Sequence, residues 1–144
     1  MIEQDTIRLL RECDAGVKMG VSSIEEVLDN VDNGNLRQIL FDCKNEHEDL
    51  SDKINNLLEQ YGDDGKNPNP MAKGMSWLKT EAKMAMDGTD STIADLMTDG
   101  CNMGVKSLSK YLNQYKAASE ETKDIAKKLI SCESTLSQDM RQYL

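Results

Sequence analysis

The sequence carries four regular hydrophobic stripes, and each is interrupted once by a residue able to ligate a metal ion. The four interrupting residues are Asp14, His47, Cys101 and Glu133. An unpaired carboxylate in an apolar core costs several kcal/mol even after relaxation, so Asp14 and Glu133 each require a partner, a metal ion or a solvent channel. Cys43, one helical turn before His47, and Cys132, beside Glu133, are secondary candidates.

Two interpretations of these polar residues stay open at the level of sequence. Three or four ligands of mixed Asp, His, Cys and Glu type can hold one ion, and thiolate with imidazole suits zinc or iron better than magnesium or calcium. A contact between His47 and a carboxylate would instead satisfy both groups without metal. Such a polar layer could fix the register between helices.

The spacing of apolar residues predicts that the first half of the chain is a pair of helices. One stripe runs from Ile7 to Val31 at spacings of three and four, and a second runs from Leu36 to Tyr61. The segment 32–35, Asp-Asn-Gly-Asn, predicts a tight turn between them. Gly62 is expected to end the second helix, because glycine is favoured just past a helix end.

A third and a fourth long helix are predicted in the second half of the chain. The third runs from about Asp90 to about Tyr115, and Ser119 is expected to cap the fourth. Between the two pairs, residues 62–70 are rich in Gly, Asn and Pro. A short helix is expected from Pro70 to about Met86, carrying Met71, Met75, Trp77 and Met84.

These elements predict an all-α fold, an antiparallel four-helix bundle with one long crossover carrying a short helix. A single domain over residues 1–144 would comprise a helix hairpin 2–61, a crossover 62–89 and a helix hairpin 90–144. The crossover has about 28 residues, enough to travel back along a helix roughly 39 Å long. Counting outward from the two hairpin turns is expected to bring Asp14, His47, Cys101 and Glu133 near one level of the bundle.

This layout resembles the ferritin-like superfamily over nearly the whole chain, and the stretch from Pro70 to Leu108 looks like bacterial ferritin-like families of unknown function. The resemblance implies a bundle whose helices hold two irons through carboxylates and histidines. Asp14 and His47 match that ligand pattern. At the remaining positions the chain departs from it: Cys101 replaces a Glu, Leu136 stands where Glu-x-x-His requires His, and Lys44 precedes His47 by three residues.

Composition narrows the class of protein. A net charge of −9 with no basic run disfavours nucleic acid and anionic lipid as partners. The N-terminus lacks the basic and apolar regions of a signal peptide, and no stretch reaches the roughly 18 apolar residues of a membrane span, so we expect a cytoplasmic protein. The four cysteines are widely spaced and are expected to be free thiols.

Three functions are compatible with the sequence. The first is a ferritin-like bundle with a degenerate metal site, acting as a structural or protein-interaction protein. A homodimer is one candidate assembly for it, and enzymatic activity is not expected. The second is a mononuclear iron- or zinc-binding or thiol-redox protein. The third is an adaptor that binds an unknown protein through the methionines of the crossover helix.

Overall fold

The computed structural model describes residues 2–67 and 89–144, and in both segments the chain is helical. Four long helices and a final 3-10 turn are present: α1 (Ile2–Leu28), α2 (Gly34–Gln60), α3 (Asp90–Gln114), α4 (Glu120–Met140) and the turn Arg141–Tyr143. No strand occurs in these two segments. The prediction of an all-α protein with four long helices is confirmed.

Local capping residues set the helix ends where the sequence predicts them. The side chain of Asn33 accepts from the backbone N–H groups of Asn35 and Leu36 at the start of α2. Ser119 accepts from the Thr122 N–H at the start of α4. Gly62 follows α2 with φ +65, the left-handed conformation that a glycine adopts without steric cost. These caps satisfy backbone groups that have no partner inside the helix.

The core divides into two hydrophobic clusters, each built from all four helices. The first contains the later part of α1, the earlier parts of α2 and α3, and the later part of α4: Ile24, Val27, Val31, Leu36, Leu40, Cys43, Ile93, Ala94, Met97, Cys101, Cys132, Leu136 and Met140. The second contains the opposite parts: Leu9, Leu10, Cys13, Val17, Leu50, Ile54, Leu58, Leu108, Ala118, Ile125, Ala126 and Leu129. His47 and Glu133 are also buried.

The buried stripe of two helices departs from the predicted heptad by one residue. Val27 and Leu58 are fully buried where the heptad predicts Leu28 and Leu57, which are only half-buried. A straight helix drifts by about 20° per heptad relative to a strict 3.5-residue repeat, so after three heptads of α2 the following residue, Leu58, faces the core. In α1 the buried position moves the other way, to the preceding residue, and the drift does not explain it.

The predicted crossover helix lies outside the described residues, and so do Met71, Met75, Trp77, Met84 and Met86. The start of the crossover, residues 62–67, is described and folds back against α1, where Asp63 contacts Arg11 and Lys66 contacts Glu12 and Asp14. Within the described segments, no helix combines the length and apolarity needed to cross a membrane.

Candidate metal centre

Two cysteines and the single histidine of the chain meet in the core between α2 and α4. The Sγ atoms of Cys43 and Cys132 are 3.4 Å apart, and each lies 3.6 Å from Nδ1 of His47. All three residues are buried. Among the residues that the structure describes, they form the only group of three or more His, Cys, Asp or Glu side chains whose donor atoms lie within 4.8 Å of one another.

Helical spacing and one backbone contact position the histidine. Cys43 and His47 are four residues apart on α2, so their side chains lie on the same face. Nδ1 of His47 lies 2.9 Å from the backbone carbonyl oxygen of Cys43, to which it donates a hydrogen bond when protonated. Cys132 approaches from α4. The ring is thereby oriented with Nδ1 toward both sulfur atoms.

The other ring nitrogen of His47 faces a carboxylate. Nε2 lies 3.8 Å from Oε1 of Glu133, which is beyond hydrogen-bond distance. Nε2 of His47 and Oε2 of Glu133 are both buried without a hydrogen-bond partner. Leaving buried polar atoms unpaired typically costs about 1–3 kcal/mol each, so a closer contact between the imidazole and the carboxylate would stabilise the protein.

Two glycines on the neighbouring helices make room for this polar pair. A Cβ atom added to Gly20 of α1 would lie 2.7 Å from Cδ2 and 2.8 Å from Nε2 of His47. A Cβ atom added to Gly104 of α3 would collide with the carboxylate of Glu133. The imidazole and the carboxylate therefore occupy the space that side chains on α1 and α3 would otherwise fill.

The charges of the site are set by burial and by these contacts. Burial acts to lower the pKa of His47, but contacts with Cys132, Glu133 and the Cys43 carbonyl outweigh it and raise the pKa to about 10. The pKa of the Cys132 thiol is raised, mainly by the neighbouring Cys43 thiol and by burial. Near neutral pH these shifts favour an imidazolium at His47 and a protonated thiol at Cys132 in the metal-free site.

An open groove runs between α2 and α4 beside the two cysteines. Its volume is about 500 Å³, and Cys43 and Cys132 are among the residues that line it. Its lining includes four acidic residues and one lysine: Asp42, Glu46, Asp49, Asp139 and Lys128. This excess of carboxylates attracts cations to the groove beside the cysteines.

The structure brings His47 together with the two secondary candidates, Cys43 and Cys132, rather than with Asp14. Oδ2 of Asp14 accepts from Lys18 Nζ at 2.8 Å and from the Lys66 backbone N–H at 2.9 Å. Gly20, and not Asp14, contacts His47 across α1 and α2. Gly20 follows Asp14 by six residues, which corresponds to about 9 Å along a helix, so Asp14 does not share the level of His47.

Cys101 and Glu133 are placed beside the cluster without belonging to it. Cys101 is a buried free thiol in the same hydrophobic cluster as Cys43 and Cys132. Burial, with a smaller effect from Glu133, raises its pKa to about 12. The Cys-x-x-x-His spacing of residues 43–47 is the sequence signal for the pairing of Cys43 with His47, because it places both side chains on one helical face.

Comparisons with known protein families, with curated proteins and with solved structures find no match for this chain.

Proposed function

We propose that this protein binds a single soft divalent metal ion, zinc or iron(II), through Cys43, His47 and Cys132. The mutual spacing of the three donor atoms carries the proposal. In a tetrahedral zinc site, bond lengths of about 2.3 Å to sulfur and about 2.0–2.1 Å to nitrogen separate ligand atoms by roughly 3.8 Å (S to S) and roughly 3.6 Å (S to N). The corresponding distances here are 3.4 Å and 3.6 Å.

Three protein ligands leave one coordination position for water or another exogenous ligand. This is typical of zinc sites that do more than hold the fold together. Because both cysteines line the groove, the fourth position would be accessible from the α2/α4 face. The proposed class is a mononuclear metal-binding protein that holds an exchangeable ion. A structural or protein-interaction role and a homodimer remain predictions.

A ferritin-like di-iron centre does not fit these residues. Such a centre requires carboxylates that bridge two metals together with two histidines, about six ligands in all. Here two thiols stand beside the only histidine, and the position three residues before His47 is Lys44. The donor set favours one soft ion over two irons.

The ferritin-like arrangement of the helices is part of the same proposal. The first core cluster combines the end of α1 with the start of α2, and the start of α3 with the end of α4. The second cluster combines the opposite ends of the same helices. This composition supports two antiparallel hairpins with α2 and α3 parallel, joined by the crossover that leads from residue 62 to residue 89.

Metal loading of the purified, untagged protein tests the proposed site. After exposure to zinc and, separately, to iron(II) under reducing conditions, elemental analysis is expected to find about one equivalent of metal. The variants Cys43→Ser, Cys132→Ser and His47→Ala are expected to lose it. Cys13→Ser is the matched control, because Cys13 is a buried free thiol in the other core cluster. Equal loading of all five proteins, or of none, would contradict the proposal.

A thiol-redox role is the second candidate, and the 3.4 Å between the sulfur atoms of Cys43 and Cys132 supports it. The two thiols need approach by only about 1.4 Å to reach the disulfide bond length of about 2.05 Å. The same two atoms would then serve either a metal ion or a disulfide, but not both.

A further inference from the structure

We infer that Glu133 is not a ligand but the positioning residue of this metal centre, the carboxylate that accepts the Nε2–H of His47 when Nδ1 binds the ion. The inference rests on the proposed function. It assigns a role to a buried carboxylate that no other contact explains, because Glu133 Oε2 has no hydrogen-bond partner.

The imidazole of His47 presents different surroundings at its two nitrogens. Nδ1 faces two sulfur atoms at 3.6 Å, whereas Nε2 faces a single carboxylate oxygen at 3.8 Å. Together with Nδ1, the two sulfur atoms supply three of the four ligands of a tetrahedral zinc site, whereas Nε2 and one carboxylate oxygen supply two. The ion is therefore assigned to Nδ1.

Binding at Nδ1 requires that this nitrogen carry no proton. The Nδ1–H bond to the Cys43 carbonyl is then given up, but that oxygen keeps its regular helical bond from the backbone N–H four residues later. The remaining ring proton must reside on Nε2, which points at Glu133. A metal-bound histidine almost always donates its second ring N–H to a carboxylate, a carbonyl or water, which fixes the ring and raises its basicity.

The packing around Glu133 suits this role. Gly104 leaves the space that the carboxylate occupies. Nε2 of His47 is buried and unpartnered and lies 3.8 Å from Oε1 of Glu133, a separation that a small shift of either side chain would reduce to hydrogen-bond distance. We expect Nε2 of His47 and a carboxylate oxygen of Glu133 to come within about 3 Å when the ion binds.

Variants at position 133 separate positioning from ligation. Metal affinity would be measured with zinc and a chromogenic competitor on Glu133→Met, which removes the acceptor, and on Glu133→Gln, which removes only the charge. The loss of an outer-shell partner typically weakens metal binding by about 10–100-fold, so we expect that range for Met and a smaller loss for Gln. Glu48→Gln is the matched control, a half-exposed glutamate on α2 that contacts Lys44.

Nitrogen NMR of the zinc-loaded protein reports the protonation of the two ring nitrogens of His47, which would not change if Glu133 had only a structural role. His47 is the only histidine, so its ring signals need no assignment. We expect Nδ1 to be metal-bound and Nε2 protonated, with an Nε2–H proton resonance that moves upfield in Glu133→Met. Thermal unfolding of each metal-free variant identifies any that fails to fold. If Glu133→Met does not fold, the same measurements are made on Glu133→Gln, whose side chain is nearly isosteric with glutamate.

Each outcome decides the inference. Zinc on Nε2 of His47 with a proton on Nδ1 would make Glu133 a ligand and overturn it, while leaving a metal site in place. Unchanged affinity and an unchanged Nε2–H resonance in folded Glu133→Met would overturn it as well. A wild-type protein that binds no zinc overturns both this inference and the proposed function.

Discussion

Cys43 and Cys132 lie 89 residues apart in sequence, on different helices, yet their sulfur atoms are separated by only 3.4 Å. Both thiols line the open groove between α2 and α4. The pair therefore links two helices that no turn connects directly. Oxidation and the proposed metal binding would compete for the same two atoms.

We predict that oxidised glutathione joins Cys43 to Cys132. Two thiol–disulfide exchanges would convert the two protein thiols and one glutathione disulfide into one protein disulfide and two molecules of glutathione. The reaction should be slow at neutral pH, because the raised pKa of Cys132 keeps its thiol protonated, and faster in alkali. Mass spectrometry of a non-reduced digest identifies the linked peptides.

The crosslink should stabilise the bundle and abolish zinc binding. A disulfide that closes a loop of this length adds on the order of 4 kcal/mol in the chain-entropy account, less any strain. Cys13→Ser should form the same crosslink, whereas Cys132→Ser should not. Oxidised protein that binds zinc as well as reduced protein does would contradict the assignment of both cysteines as ligands.

Gly20 predicts a second measurable effect, on stability. In Gly20→Ala the new Cβ would lie 2.7 Å from Cδ2 of His47, so the ring must shift or the helices must separate. Overpacking of this kind costs about 1–3 kcal/mol. We expect the free energy of unfolding, measured with urea, to fall by that amount and zinc affinity to fall with it.

Gly16→Ala is the matched control for this prediction. It lies on the same helix, and a Cβ added to Gly16 meets nothing within 4 Å. The substitution should raise the free energy of unfolding by about 0.5–1 kcal/mol, because alanine is the better residue in a helix interior. Equal effects at Gly16 and Gly20 would show that His47 does not occupy the position described.

Asp14 should matter for folding and not for metal. Its buried carboxylate accepts from Lys18 on its own helix and from the Lys66 backbone, which ties the chain after α2 to α1. Asp14→Ala would leave the Lys66 N–H unpaired, and we expect a loss of about 1–3 kcal/mol in the free energy of unfolding. Zinc affinity of the folded variant should equal that of the wild type. A large loss of affinity would indicate that Asp14 is a metal ligand after all.

The elements of the fold could be predicted because their signals are local. Asn33, Gly62 and Ser119 mark helix ends through contacts within a few residues, and a 3.6-residue repeat of apolar residues identifies each helix. The buried polar residues His47 and Glu133 could be found for the same reason. They interrupt stripes that are otherwise apolar.

Which of those polar residues contact one another depends on the rotation of each helix about its axis and on the paths of the loops, and the hydrophobic stripes determine neither. Adjacent helical positions such as Cys132 and Glu133 point about 100° apart, so the rotation of α4 decides which faces the sulfur of Cys43 and which faces Nε2 of His47. Oδ2 of Asp14 accepts from the Lys66 backbone N–H, and nothing in the periodicity indicates that residues 62–66 fold back onto α1. The interaction is tertiary, between segments 52 residues apart.

The raised pKa of His47 predicts a pH dependence of the metal-free protein. Its folded value of about 10 lies above the ordinary 6.5, so protonated His47 favours the folded state. This contribution is fully present below about pH 6.5 and is lost as the pH rises toward 10. Between pH 7 and 8.5 the free energy of unfolding should therefore fall, by at most about 1.4 kcal/mol per pH unit.

Substitution of His47 isolates this effect from other titrations. In His47→Gln the decline between pH 7 and 8.5 should become smaller without vanishing. The buried thiols of Cys13 and Cys101, with pKa values raised to about 12, stay protonated in the folded protein, while the thiols of the unfolded chain begin to ionise near their ordinary pKa of about 8.5. Urea unfolding at four pH values in the presence of a chelator and a reductant measures both slopes. Parallel pH profiles for the two proteins would mean that His47 is neutral in the folded state, and its contact with Glu133 would then lack the charge that the site geometry implies.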